Sequence, residues 1–335
     1  MKIYDKYMKL VEPRGACVAT IGFFDGVHRG HRHLIEQVVE EAHSHGLPSV
    51  LVTFPQHPAR VLRPATPLLL LTTGLEKAHL LAESGADHVA MLPFTRELAQ
   101  LSAREFMQQV LLEQLHVQTL VMGYDHRFGH TDSNANHQNT SPQTSASRPI
   151  TTFRNPETFD DYVRMGRELG IEVVQATKGD DISSSFIRHL LLTGEVERAN
   201  RALGYDYFLE GQVVDGFHVG RTLGFPTANI HPDSDEKLIP LGGVYAVGVT
   251  LPDGTEAQGM LNIGSRPTLQ NGTEQSIEVN IFDFHRDLYT QHIRIRFLHF
   301  VREEQQFASL EALQQQLRND EERVRKLLKG GGGLC

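Results

Sequence analysis

The hydrophobic pattern of this chain changes its period once, near residue 205, and that change limits the available folds more than any other feature. Before it, short apolar runs alternate with segments of helical period; after it, short strand-like runs follow one another across turns. Val18 to Phe24 reads as a buried strand, and Leu34, Ile35, Val38, Val39 and Ala42 then recur at helical spacing. Gly46 stops that helix and Ser49 to Phe54 supplies a second strand, which completes a βαβ unit. The alternation continues with a helix over Leu75 to Ser84 and a strand over Asp87 to Leu92. Ser102 and Glu105 form a capping box that opens a helix through Leu115, followed by a strand over Thr119 to Met122. Phe159 to Leu169 predicts a helix stopped by Gly170, Ile171 to Gln175 a strand, and Ser183 caps a helix containing Ile187, Leu190 and Leu191. Such alternation implies a parallel sheet covered by helices on both faces.

Two stretches depart from that rhythm. Residues 131–156 are rich in Asn, Thr, Ser, Gln and Pro, with almost no large apolar residue, and predict an exposed, mobile insertion. Beyond residue 205, Phe208–Val214, Val244–Thr250, Ala257–Ile263, Ile277–Phe284 and Ile293–Val301 are strand-like. Turn signals such as Pro252-Asp253-Gly254 and Asn271-Gly272 separate them, so an antiparallel barrel or sandwich is expected. One helix follows over Ser309 to Leu328, with Leu310, Leu313, Leu317, Val324 and Leu327 on one face. The expected organisation is an α/β domain over 1–203, a β-barrel with a terminal helix over 204–330, and a flexible tail over 331–335.

The strand-to-helix turn Gly22-Phe23-Phe24-Asp25-Gly26-Val27-His28-Arg29-Gly30-His31 carries the first chemical signal. Backbone N–H groups at a helix start are unpaired and sit at the positive end of the dipole, so the place suits a phosphate. His28 and His31 add donors, and Gly30 lets the backbone come close. Zinc is the competing reading, but it needs a third protein ligand, and no cysteine or acidic partner stands at a telling spacing. Composition narrows the class further. A net charge of −9 argues against a bulk nucleic-acid or anionic-membrane binder. The two cysteines, Cys17 and Cys335, make no disulfide framework and suit a reducing cytosol. There is no signal-peptide core, and the longest apolar run, around Pro67 to Leu71, is too short to span a bilayer, so a cytoplasmic protein is expected.

The turn resembles the Gly-x-Phe-Asp-Gly-x-His-x-Gly-His signature of nucleotidyltransferases. Gly220-Arg221-Thr222-Leu223-Gly224-Phe225-Pro226-Thr227-Ala228-Asn229 resembles the riboflavin kinase signature. Together they identify the chain, from about residue 10 to 328, as similar to the bifunctional bacterial riboflavin kinase/FAD synthetase family. Further support comes from Phe54-Pro55-Gln56-His57-Pro58, Leu92-Pro93-Phe94-Thr95, Gly123 to Gly129, Ser183 to Arg188, Gly242-Gly243-Val244-Tyr245 and Glu278 to Phe284. The resemblance implies a Rossmann-like nucleotidyltransferase domain followed by an antiparallel kinase barrel. It implies that riboflavin is phosphorylated to FMN with ATP and that FMN is adenylylated to FAD with release of pyrophosphate, with Mg²⁺ serving the nucleotide. No nucleic-acid or membrane partner is expected.

Residue roles follow from the same resemblance. Gly22, Phe23, Asp25, Gly26, His28, Gly30 and His31 hold ATP for adenylylation, the histidines acting on its α-phosphate; Ser184, Ser185 and Arg188 hold its β- and γ-phosphates. Asp125, Arg127 and Phe128 border the flavin and nucleotide. In the barrel, Gly220, Thr227 and Asn229 gather at the metal–nucleotide site, Glu278 is the general base, and Arg302 and Phe307 lie near the flavin. Strand alternation puts Glu278 and Asn280 on one face and Ile277, Val279 and Ile281 on the other, so that polar face must line a pocket. Three departures stand out: the long 131–156 insertion, His126 where phenylalanine is frequent, and Gln306 where a basic residue is common. Two competing readings are an adenylyltransferase for another acceptor and a non-catalytic flavin-binding regulator. The barrel motif opposes the first, and the retained catalytic residues oppose the second.

Overall fold

Every residue of the apolar run Cys17–Ile21 is buried, as a central parallel strand requires. The structure, a computed structural model, describes residues 1–5, 8–11, 15–62, 69–124, 128, 157–215, 224–267 and 273–330. It divides into two compact units, Met1–Leu68 with Thr73–Asp181, and Leu69–Thr72 with Ile182–Cys335.

The first unit runs β1 (Lys2–Asp5), β2 (Leu10–Val11), β3 (Cys17–Ile21), α1 (Arg29–His45), β4 (Ser49–Thr53), α2 (Pro58–Leu62) and α3 (Gly74–Ala82). It continues with β5 (His88–Met91), α4 (Arg96–Gln100), α5 (Ala103–Phe106), β6 (Val117–Met122), α6 (Phe159–Leu169) and β7 (Glu172–Gln175). Its seven-stranded sheet has the order β2-β1-β5-β4-β3-β6-β7. Strands β3 to β7 are parallel, as expected. β1 is antiparallel to β5 and to β2, an edge that the apolar pattern did not reveal. The chain leaves β3 toward β4 and returns on the other side as β6. The strand order therefore reverses at β3, and crevices outside the carboxyl ends of strands at such a point bind ligands. The β3–α1 turn and the segment after β6 both start there.

Local signals behave as the sequence predicts. Gly46 ends α1 at φ 64°, donating its N–H to Ala42 and His43 carbonyls. Ser102 with Glu105 forms the expected capping box, and Thr73 with Glu76 and Thr158 with Asp161 form two more that the pattern reading did not name. One helix differs. After α5 the chain widens into a π-helical segment, Met107–Leu112, that buries Met107, Val110 and Leu111. A π-turn advances the apolar face by one extra residue, a shift no 3.6-residue pattern displays.

The second unit runs α7 (Ser184–Leu192), α8 (Val196–Leu203), β8 (Phe208–Val214), β9 (Ala228–Pro232), β10 (Gly243–Thr250), β11 (Glu256–Pro267), β12 (Thr273–Ile281), β13 (His292–Arg302) and α9 (Leu310–Gly330). The six strands close into an antiparallel barrel in the order β10-β11-β12-β9-β8-β13, which settles the choice between barrel and sandwich. Leu261, Ile263, Val279, Ile295 and Phe297 fill its core, and Ile187, Leu190, Val196 and Leu203 of the two helices join the same apolar cluster. Asn200 ties α8 to it by donating to the Phe297 carbonyl at 2.8 Å and accepting from the Tyr207 N–H at 2.8 Å. The compact unit takes in α7 and α8 from Ile182 onward, because their apolar faces are spent on the barrel. On the outer face Phe225, Val244 and Met260 pack with Val324 and Leu328 of α9. The 131–156 insertion, Asn271-Gly272 and the 331–335 tail lie outside the described residues.

Candidate active sites

The turn from β3 into α1 is built under backbone strain. Phe24 at φ 55° and Val27 at φ 36° occupy the left-handed region beside Gly26 at φ 80°. For a β-branched residue such as Val27 that conformation costs about 1–3 kcal/mol and persists only where the surroundings impose it. They do so here. Gly22 N–H donates to Val52 O at 3.0 Å, Thr53 Oγ1 to Phe23 O at 3.1 Å and Val27 N–H to Phe24 O at 3.0 Å. The result buries Asp25 and His28, leaves His31 and Gly30 half-exposed, and makes His28 the N-cap of α1.

His28 Nδ1 accepts the His31 backbone N–H at 3.3 Å. In a neutral ring that leaves the proton on Nε2, which is then a donor. Burial pushes the imidazole down to about 4 from 6.5, against the opposing pull of Asp25, so the ring is neutral near pH 7. His31 stacks on it with ring centroids 3.6 Å apart and planes 17° from parallel. Two imidazoles at a helix start, the buried His28 ring held neutral, thus stand where phosphate oxygens can be received. Among the described residues no group of three or more His, Cys, Asp or Glu is arranged to hold a metal.

A fully buried lysine lies against this turn, and sequence reasoning did not find it. Lys77 of α3 donates to the Phe54 carbonyl at 2.5 Å, and its Nζ sits 3.6 Å from the centroid of the Phe23 ring. Burial holds the ammonium down at about 7, and Asp25 opposes that shift. A polar residue on a helix reads as solvated, and only the packed structure reveals otherwise.

The remaining residues expected at this site are placed as follows. Phe128 is in the core, its N–H donating to Tyr162 Oη at 2.9 Å and its carbonyl accepting from that hydroxyl at 2.6 Å. Its ring packs on Phe106 and Tyr162. Asp125 and Arg127 lie outside the described residues. Ser183 caps α7 through the Phe186 N–H as predicted, with Ser184 and Ser185 in the first turn. Arg188 Nε donates to the Leu69 carbonyl at 2.9 Å. These three expected phosphate ligands fold with the second unit.

In the barrel, β9 brings Asn229 opposite Glu278 of β12, and Asn262 of β11 flanks Glu278 on the other side. Thr227 Oγ1 lies 3.3 Å from Glu278 Oε2 and donates to it. Thr227 and Asn229, two residues apart at the start of β9, thus come beside a carboxylate about fifty residues later in the chain. Alternation holds as expected. Ile277, Val279 and Ile281 are in the core, while Glu278 is half-buried and Asn280 is 8 % exposed. Asn280 Nδ2 donates to the Pro226 carbonyl at 2.7 Å and fixes the segment carrying Thr227. That second positioning residue was legible in the alternation but not in its role. Gly220 lies outside the described residues.

Arg302, at the end of β13, spends its guanidinium on Asp320 of α9, with contacts of 2.7 and 3.0 Å to Oδ2 and 3.2 Å to Oδ1. It also donates to the Glu303 carbonyl and lies 5.8 Å from the Phe307 ring centroid. Arg302 thus pins α9 to the barrel beside Phe307.

Two domain families match the chain: FAD synthetase over residues 11–178 and riboflavin kinase over residues 203–328. Among relatives, the bifunctional riboflavin kinase/FMN adenylyltransferase of Escherichia coli K12 is 35 % identical, covering 92 % of each chain. The protein of that description from Listeria monocytogenes is 36 % identical over 92 % of this chain and 91 % of its own. The one from Bacillus subtilis is 33 % identical over 93 % and 92 %. A solved Streptococcus pneumoniae structure described as a macrolide-efflux protein superposes with a TM-score of 0.80 and 29 % identity, covering 96 % of this chain and 97 % of that one. Among the described residues no helix is long and apolar enough to cross a membrane.

Proposed function

The chain belongs to the bifunctional riboflavin kinase/FMN adenylyltransferase family, and on that premise we propose which residues carry each reaction. In the barrel, the 5′-hydroxyl of riboflavin attacks the γ-phosphorus of ATP, Glu278 takes the hydroxyl proton, and FMN and ADP leave. Positioning and charge neutralisation carry most of the barrier reduction, while the general base adds about 10²–10⁴-fold. The observation that carries this assignment is the approach of Thr227, Asn229 and Glu278 across β9 and β12. A hydroxyl and an amide oxygen beside one carboxylate suit Mg²⁺, which keeps several waters and takes few protein ligands besides substrate phosphates. When bound with ATP, the ion would supply neutralisation of the phosphate charge. Thr227 and Asn229 are the residues that would hold it, and Asn280 keeps Thr227 in place.

At the β3–α1 turn, a phosphate oxygen of FMN attacks the α-phosphorus of a second ATP, and pyrophosphate leaves as FAD forms. The acceptor phosphate is already ionised at neutral pH, so no general base is required. His28 and His31 donate to the charge developing on the α-phosphate, and preorganised donors at such a position typically contribute on the order of 10²–10³-fold. The neutral Nε2–H of His28 supports this, because it donates without titrating near pH 7. Ser184, Ser185 and Arg188 are assigned to the β- and γ-phosphates, and Asp125, Arg127 and Phe128 to the loop bordering FMN. Arg302 and Phe307 are assigned to the edge of the kinase flavin site. The enzyme works in the cytoplasm without a nucleic-acid partner, a reading its net charge of −9 supports.

Purified protein with riboflavin, ATP and Mg²⁺ should yield FMN and then FAD, resolved by chromatography. Absence of FMN would remove the kinase assignment, and FMN without FAD the adenylyltransferase assignment.

A further inference from the structure

A lysine is almost never sealed from solvent without a reason, because burying its ammonium costs several kcal/mol unless partners offset it. In the first unit Lys77 is 0 % exposed. Its position on α3 is firmly set. Thr73 and Glu76 close a capping box, and the Lys77 backbone N–H donates to the Thr73 carbonyl at 3.0 Å. α3 also starts against the segment after β4 so closely that a Cβ on Gly74 would come within 2.9 Å of the Pro55 carbonyl oxygen. The side chain then reaches the carboxyl ends of two parallel strands at once. It donates to Phe54 O, just past β4, and stands over the Phe23 ring, just past β3. The edge of that ring also meets His57, with centroids 4.4 Å apart.

A neutral side chain of this length would serve for packing alone. The neighbours chosen instead are those of a cation: a carbonyl oxygen, a π face and the field of the buried Asp25. Two of them, Phe23 and Asp25, belong to the strained turn that carries His28 and His31. We propose that Lys77 is a positioning residue of the adenylyltransferase site, a buried cation that fixes the turn bearing His28 and His31 and offsets the negative charge of Asp25 and of the nucleotide bound there. The proposal rests on the reading of that turn as the adenylyl-transfer site. It needs no contact between Lys77 and substrate. Its effect passes through the Phe23–Asp25 backbone and through a field undiminished by solvent. Asp25 is the charged group that acts on it; His57 lies against the Phe23 ring, and the carboxylate of its chain neighbour Glu76 is committed to the Thr73 N–H at 2.7 Å.

The test uses the full chain, whose barrel supplies an internal control. Lys77→Met preserves length and removes the charge. FAD formation from supplied FMN should fall by on the order of 10²-fold, the scale of a misplacement of about 1 Å in a reacting geometry, while FMN formation from riboflavin stays unchanged. In the wild type, kcat/KM for FAD formation should decline as pH rises through about 7, where the ammonium loses its proton. That decline should be missing in Lys77→Met. If Lys77→Met does not fold, Lys77→Arg keeps a cation that does not titrate, and should retain FAD formation without the decline. Equal loss of both activities, or a lower FAD rate with an unchanged pH profile, would show a merely structural lysine and overturn the proposal. Unchanged FAD formation in Lys77→Met would do the same. His28→Ala measured in parallel separates the two failures: if it spares FAD formation, the assignment of the turn falls, whatever Lys77 does.

Discussion

Acidification should weaken the first unit through His28, by an amount its surroundings set. The ring is 4 % exposed, and burial lowers its pKa from 6.5 to about 4 despite Asp25. Between those values the unfolded chain binds a proton that the folded one refuses. Folding stability therefore falls as pH drops from 6.5 toward 4 and levels off below it. Each pKa unit corresponds to about 1.4 kcal/mol, so the window is worth up to about 3 kcal/mol, a large share of ordinary domain stability. Urea denaturation at pH 7, 5.5 and 4.5, followed by a probe in the first unit, measures the slope. The second measurement is the same series on His28→Gln, a polar neutral replacement that cannot take up the proton. The wild type should lose about 2.4 kcal/mol more than the variant between pH 7 and 4.5, the rest of the window lying below that range. Parallel curves for the two proteins would refute the claim that the buried ring is held neutral, and with it the assigned role of Nε2–H as a fixed donor.

Other substitutions probe the supports of each site. Asn280→Ala removes the 2.7 Å bond to the Pro226 carbonyl, so FMN formation should fall about 10-fold or more through a looser Thr227 segment while FAD formation from FMN is spared. Tyr162→Phe strips the hydroxyl that both accepts from and donates to the Phe128 backbone, and should cost about 1–3 kcal/mol in chemical denaturation of the first unit.

The parts of the fold that were legible in the sequence are those whose signal is local. Cys17–Ile21 and Ser49–Thr53 are continuous apolar runs, α1 has an apolar stripe and a glycine stop, and the capping box of Ser102 and Glu105 is spelled out residue by residue. β9 was obscured because its five residues follow Pro226 and alternate weakly; its strand pairing comes from β8 and β12. β1 and β2 are short edge strands with little apolar pattern of their own. The start of the second unit at Ile182 depends on where the faces of α7 and α8 are buried, which periodicity detects but cannot direct.

The sites divide along the same line. His28 and His31 stand three residues apart in one short motif, so their turn announced itself. Thr227 and Asn229 gained meaning from the Gly220 to Phe225 lead-in and its family resemblance, and their approach to Glu278 is a tertiary contact that only the β9–β12 register displays. Lys77 had no local signal at all. On α3 it has the identity of a surface residue, and its burial arises from the closing of two strand ends around it.

The most direct test of two independent sites on one chain is to cross the variants. Glu278→Ala and His28→Ala are each given riboflavin with ATP and Mg²⁺, and separately FMN with ATP and Mg²⁺, and the flavins are resolved by chromatography. The account predicts that Glu278→Ala makes no FMN yet converts supplied FMN to FAD, while His28→Ala accumulates FMN and makes little FAD. Loss of both activities in either folded variant would contradict it.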